Sequence, residues 1–278
     1  MAASLLLLLA FGCLTGVTTV LFGFGGGFVI VPAVYGFVLA GPGPGGEAMH
    51  IAVATSTAVM IVNSATATAA QLRTGRLRRE YVWPLIGFIA VGALLGSLAA
   101  TWADDAVLHL LFVVYLAVTI ADGLFRRGFI ARGEGSRPRA LGGVATTAGG
   151  VGIGAVASFL GVGGSVLTVP LLRRKGLPMA DATAMANPLS LPVAVVATAV
   201  YGSAAAGASG LAATGRLGYV DLVAAAALLC ASLPTIAVVK RLVGRIPDRA
   251  HAIAYIALLA AVLGYMALSG LGLGPFPG

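Results

Sequence analysis

Charge is scarce in this chain. Only 9% of its 278 residues are Asp, Glu, Lys or Arg, while 59% are hydrophobic. Soluble domains carry about 25% charged residues, so no soluble fold of this length could hide so much apolar surface. The composition leaves a polytopic membrane protein. Cysteine is nearly absent. Cys13 and Cys230 both sit in apolar runs, which favours packing roles over a disulfide, and their spacing excludes a cysteine metal site. The apolar runs lack the period-two alternation of barrel strands, which favours helices over a β-barrel, and at ~20 residues they suit helical spans. No His/Cys/Asp/Glu cluster suits a metal. No cofactor loop is complete either: Gly23-x-Gly25 lacks the third glycine and the strand–helix context of a dinucleotide fingerprint. A basic n-region is missing before the first apolar run, so residues 1–22 are expected to be a membrane helix rather than a signal peptide.

Glycine is plentiful, at 40 residues, and it is placed in a pattern. Gly23-Phe24-Gly25-Gly26-Gly27-Phe28-Val29-Ile30-Val31-Pro32 interrupts the first apolar run. Gly161-Val162-Gly163-Gly164-Ser165-Val166-Leu167-Thr168-Val169-Pro170 interrupts a later one. Glycine within a helix is unfavourable by roughly 1 kcal/mol relative to alanine, so three close together should break it. In a bilayer a break is tolerated only where the freed backbone faces protein or a watery cavity. A helix restarting after the glycines aims its unpaired N–H groups and positive dipole end at the break. Two such breaks, one in each half, are the pattern of a transporter site for an anion.

The order of segments repeats. Helices are expected at about 3–22, 28–40, 48–72, 81–102 and 106–125. The second series falls at about 140–160, 166–172, 178–203 (interrupted at Asn187-Pro188 and Pro192), 217–239 and 250–269. The segment at 28–40 is too short to cross a ~30 Å core, so each glycine break is expected to form a hairpin dipping into the membrane. Gly92-x3-Gly96 suits close helix packing. Gly23 and Gly161 are 138 residues apart, and Thr74-Gly75-Arg76-Leu77 returns as Thr214-Gly215-Arg216-Leu217. The expected division is a first transmembrane repeat over 1–125, a basic cytoplasmic linker over 126–139, and a second repeat over 140–278. The net charge of +8 comes from basic clusters at 73–79, 126–139, 173–175 and 240–249. These mark cytoplasmic loops rather than nucleic-acid binding. With those clusters inside, the two halves are inverted relative to each other. The fold class is all-α and polytopic, with two inverted five-segment repeats and short broken helical hairpins.

These motifs resemble the TauE/SafE family of membrane anion exporters, also described as sulfite exporters. The resemblance is carried by Gly-x-Gly-Gly-Gly-(x)4-Pro at 23–32 with Ala-Thr-Ser at 54–56. In the second half it is carried by Gly-x-Gly-Gly-Ser-(x)4-Pro at 161–170, Gly176-Leu177-Pro178 and Ala182-Thr183. It spans nearly the whole chain. It implies export of sulfite or a small organosulfonate across the cell membrane of a prokaryote, with proton coupling. Ser165 in place of a last glycine, Ala184 where the first half has serine, and Asn187-Pro188 depart from the pattern.

The residues expected to bind substrate are Gly25, Gly26, Gly27, Thr55, Ser56, Asn63, Gly163, Gly164, Ser165, Thr183 and Asn187. Glycine tips offer backbone dipoles, and the hydroxyls and amides can replace an oxyanion's hydration. Gly26 and Gly164 are expected to be equally intolerant of a side chain. No Arg or Lys lies mid-helix, so the anion would be held without a fixed counter-charge and could be released. His50, Glu47 and Asp181 are the candidates for proton coupling, against a plainer reading in which the acids stabilise helix N-termini. His109 and His251 are expected at the membrane interface. Self-association is left open, the lipid bilayer and a small anion are the expected partners, and neither a cofactor nor a catalytic residue is expected. Alternatives are an anion channel, a carrier for a carboxylate or another oxyanion, and a scaffold with no flux. Gly207-Ala208-Ser209-Gly210 matches a serine-protease pattern, but the only later histidine, His251, is expected a membrane thickness away.

Overall fold

A computed structural model describes residues 2–41, 45–73, 75, 77, 79–125, 142–204, 215–241 and 247–270. The linker at 126–139, Arg76 and Ser209 lie outside the described residues. The described chain runs α1 (Ala2–Phe22), α2 (Gly27–Leu39), a single 3-10 turn (Gly45–Glu47), α3 (Ala48–Arg73), α4 (Arg79–Thr101) and α5 (Asp105–Phe125). It continues with α6 (Gly143–Thr146), α7 (Ala148–Phe159), α8 (Ser165–Arg174), α9 (Met179–Ala204), β1 (Arg216–Leu217), β2 (Val220–Asp221), α10 (Leu222–Val239) and α11 (Asp248–Gly270). Seven helices (α1, α3, α4, α5, α9, α10 and α11) are long and apolar enough to cross a membrane. With 13 and 10 residues, α2 and α8 are too short to do so. Trp83 and Trp102 stand exposed near the two ends of α4. Their separation is ~28 Å of helix rise, close to the ~30 Å of a hydrocarbon core, where tryptophan favours the boundaries. The molecule is an all-α multi-pass membrane protein.

The least apolar of the seven long helices are the most buried. The crossing windows of α3 and α9 are 78% and 61% buried, against 28% for α5. Lipid is the solvent for the periphery, so the apolar helices face outward and the polar pair is enclosed by protein. Around this pair, α4 lies along α7 and α1 lies along α10, while α2 covers α3 and α8 covers α9. Exchanging the two halves of the chain reproduces the same set of pairings.

The seams are set by small residues. Gly92 and Gly96 of α4 face the backbone carbonyls of Val151 and Ala155, and Gly154 faces that of Ile89. Across the molecule, Gly12 and Gly16 of α1 face the carbonyls of Leu228 and Ser232; a Cβ on either glycine would lie 2.7 Å from its carbonyl oxygen. Gly12 and Gly150, and Gly16 and Gly154, are separated by the same 138 residues as Gly23 and Gly161. Close backbone approach of this kind supplies the dispersion that holds helices together where no hydrophobic effect operates between them.

Several boundaries differ from the sequence expectation. The helix expected to break at Asn187-Pro188 and Pro192 is continuous through both prolines. Each proline removes one backbone hydrogen bond, and tight burial against α3 holds the helix in line. The segment expected at 140–160 is split at Thr147 into α6 and α7. α10 starts at Leu222, not at 217. Ahead of it, Arg216 pairs with Asp221 and Leu217 with Val220 in a hairpin, and Asp221 caps the helix by accepting the Ala224 N–H at 2.9 Å. With 21 residues, α1 is of crossing length, so the first hairpin has one long arm and one short arm. His251, in the first turn of α11, is buried, with Nε2 against the Leu21 carbonyl.

Candidate functional site

The two glycine breaks meet. A Cβ on Gly27, the first residue of α2, would lie 2.8 Å from the Gly161 carbonyl oxygen and 2.9 Å from Val162 Cα. A Cβ on Gly163 would lie 3.1 Å from the Phe24 carbonyl oxygen. Ser56 of α3 ties the breaks together. Its hydroxyl donates to the Gly161 carbonyl at 2.7 Å and lies 3.4 Å from that of Gly27. Each break also crosses to the other half: Gly23 packs against the Thr183 carbonyl of α9, and Gly161 packs against the Val53 backbone of α3. Gly26, the N-cap of α2, holds φ at +97°, a left-handed turn that a side chain would strain.

Buried donors and acceptors flank each break. In α8 the first backbone bonds run from Leu167 and Thr168 to the Gly164 carbonyl. Among the described residues, the preceding amides of Gly163, Gly164, Ser165 and Val166 have no backbone acceptor. The Ser165 hydroxyl is buried and has no partner there. At the first break, Asn63 Nδ2 reaches the Gly25 carbonyl at 3.5 Å, while its Oδ1 accepts the Ser232 hydroxyl at 2.8 Å. Asn187 Nδ2 donates to the Thr19 carbonyl at 3.1 Å, and its Oδ1 has no partner. Asn187 therefore bridges α9 to α1 and does not mark a helix break.

Two of the remaining expected hydroxyls are satisfied by groups outside the breaks. The Thr55 hydroxyl accepts the Asp221 N–H at 2.9 Å, which ties α3 to the hairpin. Thr183 donates back to the Ala180 carbonyl at 3.2 Å within its own helix. Three residues beside the tips were not singled out as ligands: Met60, Ser64 and Ser190. Their signal is helical spacing. Ser56, Met60, Asn63 and Ser64 share one face of α3, as Thr183, Asn187 and Ser190 share one face of α9.

The central helices run antiparallel. Thr57 meets Thr198 at 3.1 Å, and Tyr219 touches both the His50 ring (5.2 Å between centroids) and the Tyr201 carbonyl (3.3 Å). His50 and Asp181 therefore stand at opposite ends of the pair. His50 Nδ1 meets Asp105 Oδ1 at 2.7 Å, and Nε2 meets the Ala100 carbonyl at 3.1 Å. Asp105 also accepts the backbone N–H groups of Met49 and His50 at 2.8 and 3.1 Å, so it caps α3 from the start of α5. Tyr219 covers this cluster. Its burial, with the Glu47 and Asp105 carboxyls nearby, raises the phenol above its ordinary range. Asp105→Ala should lower the thermal midpoint in detergent by several degrees, because it strands two helix amides and the ring at about 1–3 kcal/mol per stranded group. Asp105→Asn, which keeps an acceptor oxygen, should recover part of that loss. Equal midpoints for all three proteins would remove the capping role.

The fold and the meeting of its breaks define a multi-pass helical membrane protein with a buried, uncharged polar centre. The chain belongs to the sulfite exporter TauE/SafE family, whose model matches residues 8–266. That family comprises membrane exporters of sulfur anions. No curated protein and no solved structure matches the chain.

Proposed function

We propose that this protein is a secondary transporter that exports sulfite or a small organosulfonate across the cell membrane of a prokaryote. The anion binds between the two glycine breaks, near the middle of the membrane. The two repeats, 1–125 and 140–278, are inverted and move against each other to expose the site alternately. The observation that carries this reading is the contact of the two breaks between the buried polar helices, with Ser56 bonded to Gly161, Asn63 at Gly25, and the Ser165 hydroxyl and the amides of residues 163–166 left without backbone partners at the second break. Each helix N-terminus contributes roughly half a positive charge, so the paired breaks attract an anion without any arginine or lysine. Antiparallel α3 and α9 support the inversion. His50 is the coupling candidate, because both of its ring nitrogens face oxygen acceptors, and gain or loss of a proton there makes or breaks a hydrogen bond.

The test is flux of sulfite and a panel of organosulfonates in proteoliposomes, with and without a pH gradient. Saturable flux accelerated by the gradient is expected. Rapid, non-saturating flux would make the protein a channel. No flux of any member by folded protein would end the sulfur-anion reading.

A further inference from the structure

Besides Ser56, a methionine lies against both breaks. A Cβ on Gly25 would lie 3.2 Å from Met60 Sδ, and a Cβ on Gly163 would lie 2.8 Å from the same sulfur. One thioether thus touches both breaks, and Met60 is fully buried. A serine flanks it on each side. The Ser64 hydroxyl, one turn further along α3, faces Gly25 and has no partner. Ser190 of α9 faces Gly163, and its oxygen would lie 2.7 Å from a Cβ there. The two polar helices differ at this level. One turn before Ser64 stands Met60, and one turn before Ser190 stands Ala186. At this level α3 carries a methionine where α9 carries an alanine.

We infer that Met60 sets the size of sulfur anion that this protein accepts, by filling the space between Ser64 and Ser190 that the organic part of a longer sulfonate must occupy. The inference rests on the anion site proposed above. An unbranched thioether has three rotatable bonds and a soft, polarisable surface, so it can withdraw before a compact anion whose oxygens then face the two serines. A sulfonate carrying an alkyl chain needs the volume of Cγ, Sδ and Cε as well. A pocket gains or loses roughly tenfold or more in discrimination per methylene it can accept.

The experiment compares sulfite with ethanesulfonate in proteoliposomes. In Met60→Ala the ratio of ethanesulfonate to sulfite flux should rise by about tenfold, and in Met60→Leu by less, following the volume removed. A ratio within about twofold of wild type in Met60→Ala, with sulfite flux retained, overturns the inference and leaves the transport reading standing. Absence of all flux in the wild type overturns the transport reading, and the inference with it. If Met60→Ala is inactive, Met60→Cys is made with Cys13 and Cys230 replaced by alanine. It is then labelled with a small anionic thiosulfonate reagent. Ethanesulfonate should slow the labelling; labelling that saturating ethanesulfonate leaves unchanged overturns the assignment of Met60. Ethanesulfonate is the protecting anion because sulfite itself consumes the reagent.

Discussion

Alanine at Gly27 is expected to stop transport while the protein remains inserted in the membrane. The added methyl would lie 2.8 Å from the Gly161 carbonyl oxygen and 2.9 Å from Val162 Cα. Both neighbours are backbone, so neither can rotate aside as a side chain would. Overpacking of this kind costs about 1–3 kcal/mol, and here it is relieved only by parting the two breaks, which also lengthens the Ser56–Gly161 hydrogen bond of 2.7 Å. Insertion is set by the apolar windows, which the substitution leaves alone. Gly164 provides the contrast. It holds an ordinary helical φ of −60°, and its nearest neighbour would be the Ile153 Cγ2 methyl at 3.2 Å. Gly164→Ala should therefore lose far less flux than Gly27→Ala. The check is substrate flux normalised to membrane-inserted protein. Wild-type flux in Gly27→Ala would mean that contact between the breaks does not matter to transport.

Leucine at Gly154 is expected to prevent assembly altogether. A Cβ there would clash with the Ile89 carbonyl oxygen and approach Ala93 N at 2.8 Å. The whole α4–α7 seam would have to open, and with it the matching approaches at Gly92 and Gly96. In lipid there is little hydrophobic drive to close a loosened seam, because the separated helices are solvated by acyl chains. Individual helices should still insert, so the protein should be present in membranes but extract as aggregate in place of a single size-exclusion peak. Gly152→Leu is the control on the same helix, since a Cβ at Gly152 meets nothing within 4 Å. A monodisperse Gly154→Leu protein would show that the seam tolerates more separation than its geometry implies.

These two predictions differ in how visible their positions are in the sequence. The breaks at 23–27 and 161–164 are legible because several glycines within a long apolar run act locally on helix propensity, whatever surrounds them. Gly92-x3-Gly96 is legible for the same local reason. Gly12-x3-Gly16 and Gly150-x3-Gly154 carry the same spacing, but the spacing alone does not say which backbone each pair faces. The ranking of Gly27 above Gly164 is also invisible. In the sequence Gly26 and Gly164 read as equals, yet Gly26 sits at φ +97° and Gly164 in ordinary helical geometry.

The candidate site divides along the same line. Ser56, Asn63 and Ser165 stand out as polar residues in apolar surroundings, and burial in a membrane leaves such groups needing partners. Thr55 and Thr183 stand out equally, but a hydroxyl can be satisfied by its own helix or by a passing strand, and both are. Met60 does not stand out, since one more apolar residue in a membrane helix gives no signal. Asp105 reads as part of an acidic turn. Its capping of α3 depends on α5 starting beside it.

The sequence by itself determined the solvent, the helical class, the family, the two broken segments and their repetition. The solvent, the helical class and the breaks follow from composition and local propensity, which act within one segment at a time; the family follows from the order and duplication of the motifs along the chain. The tertiary structure decided which breaks touch, which serine bridges them, and which side chain stands between them. Each of those needs at least one contact between residues a hundred or more positions apart, and such contacts exist only once α3 and α9 have paired antiparallel between the apolar helices.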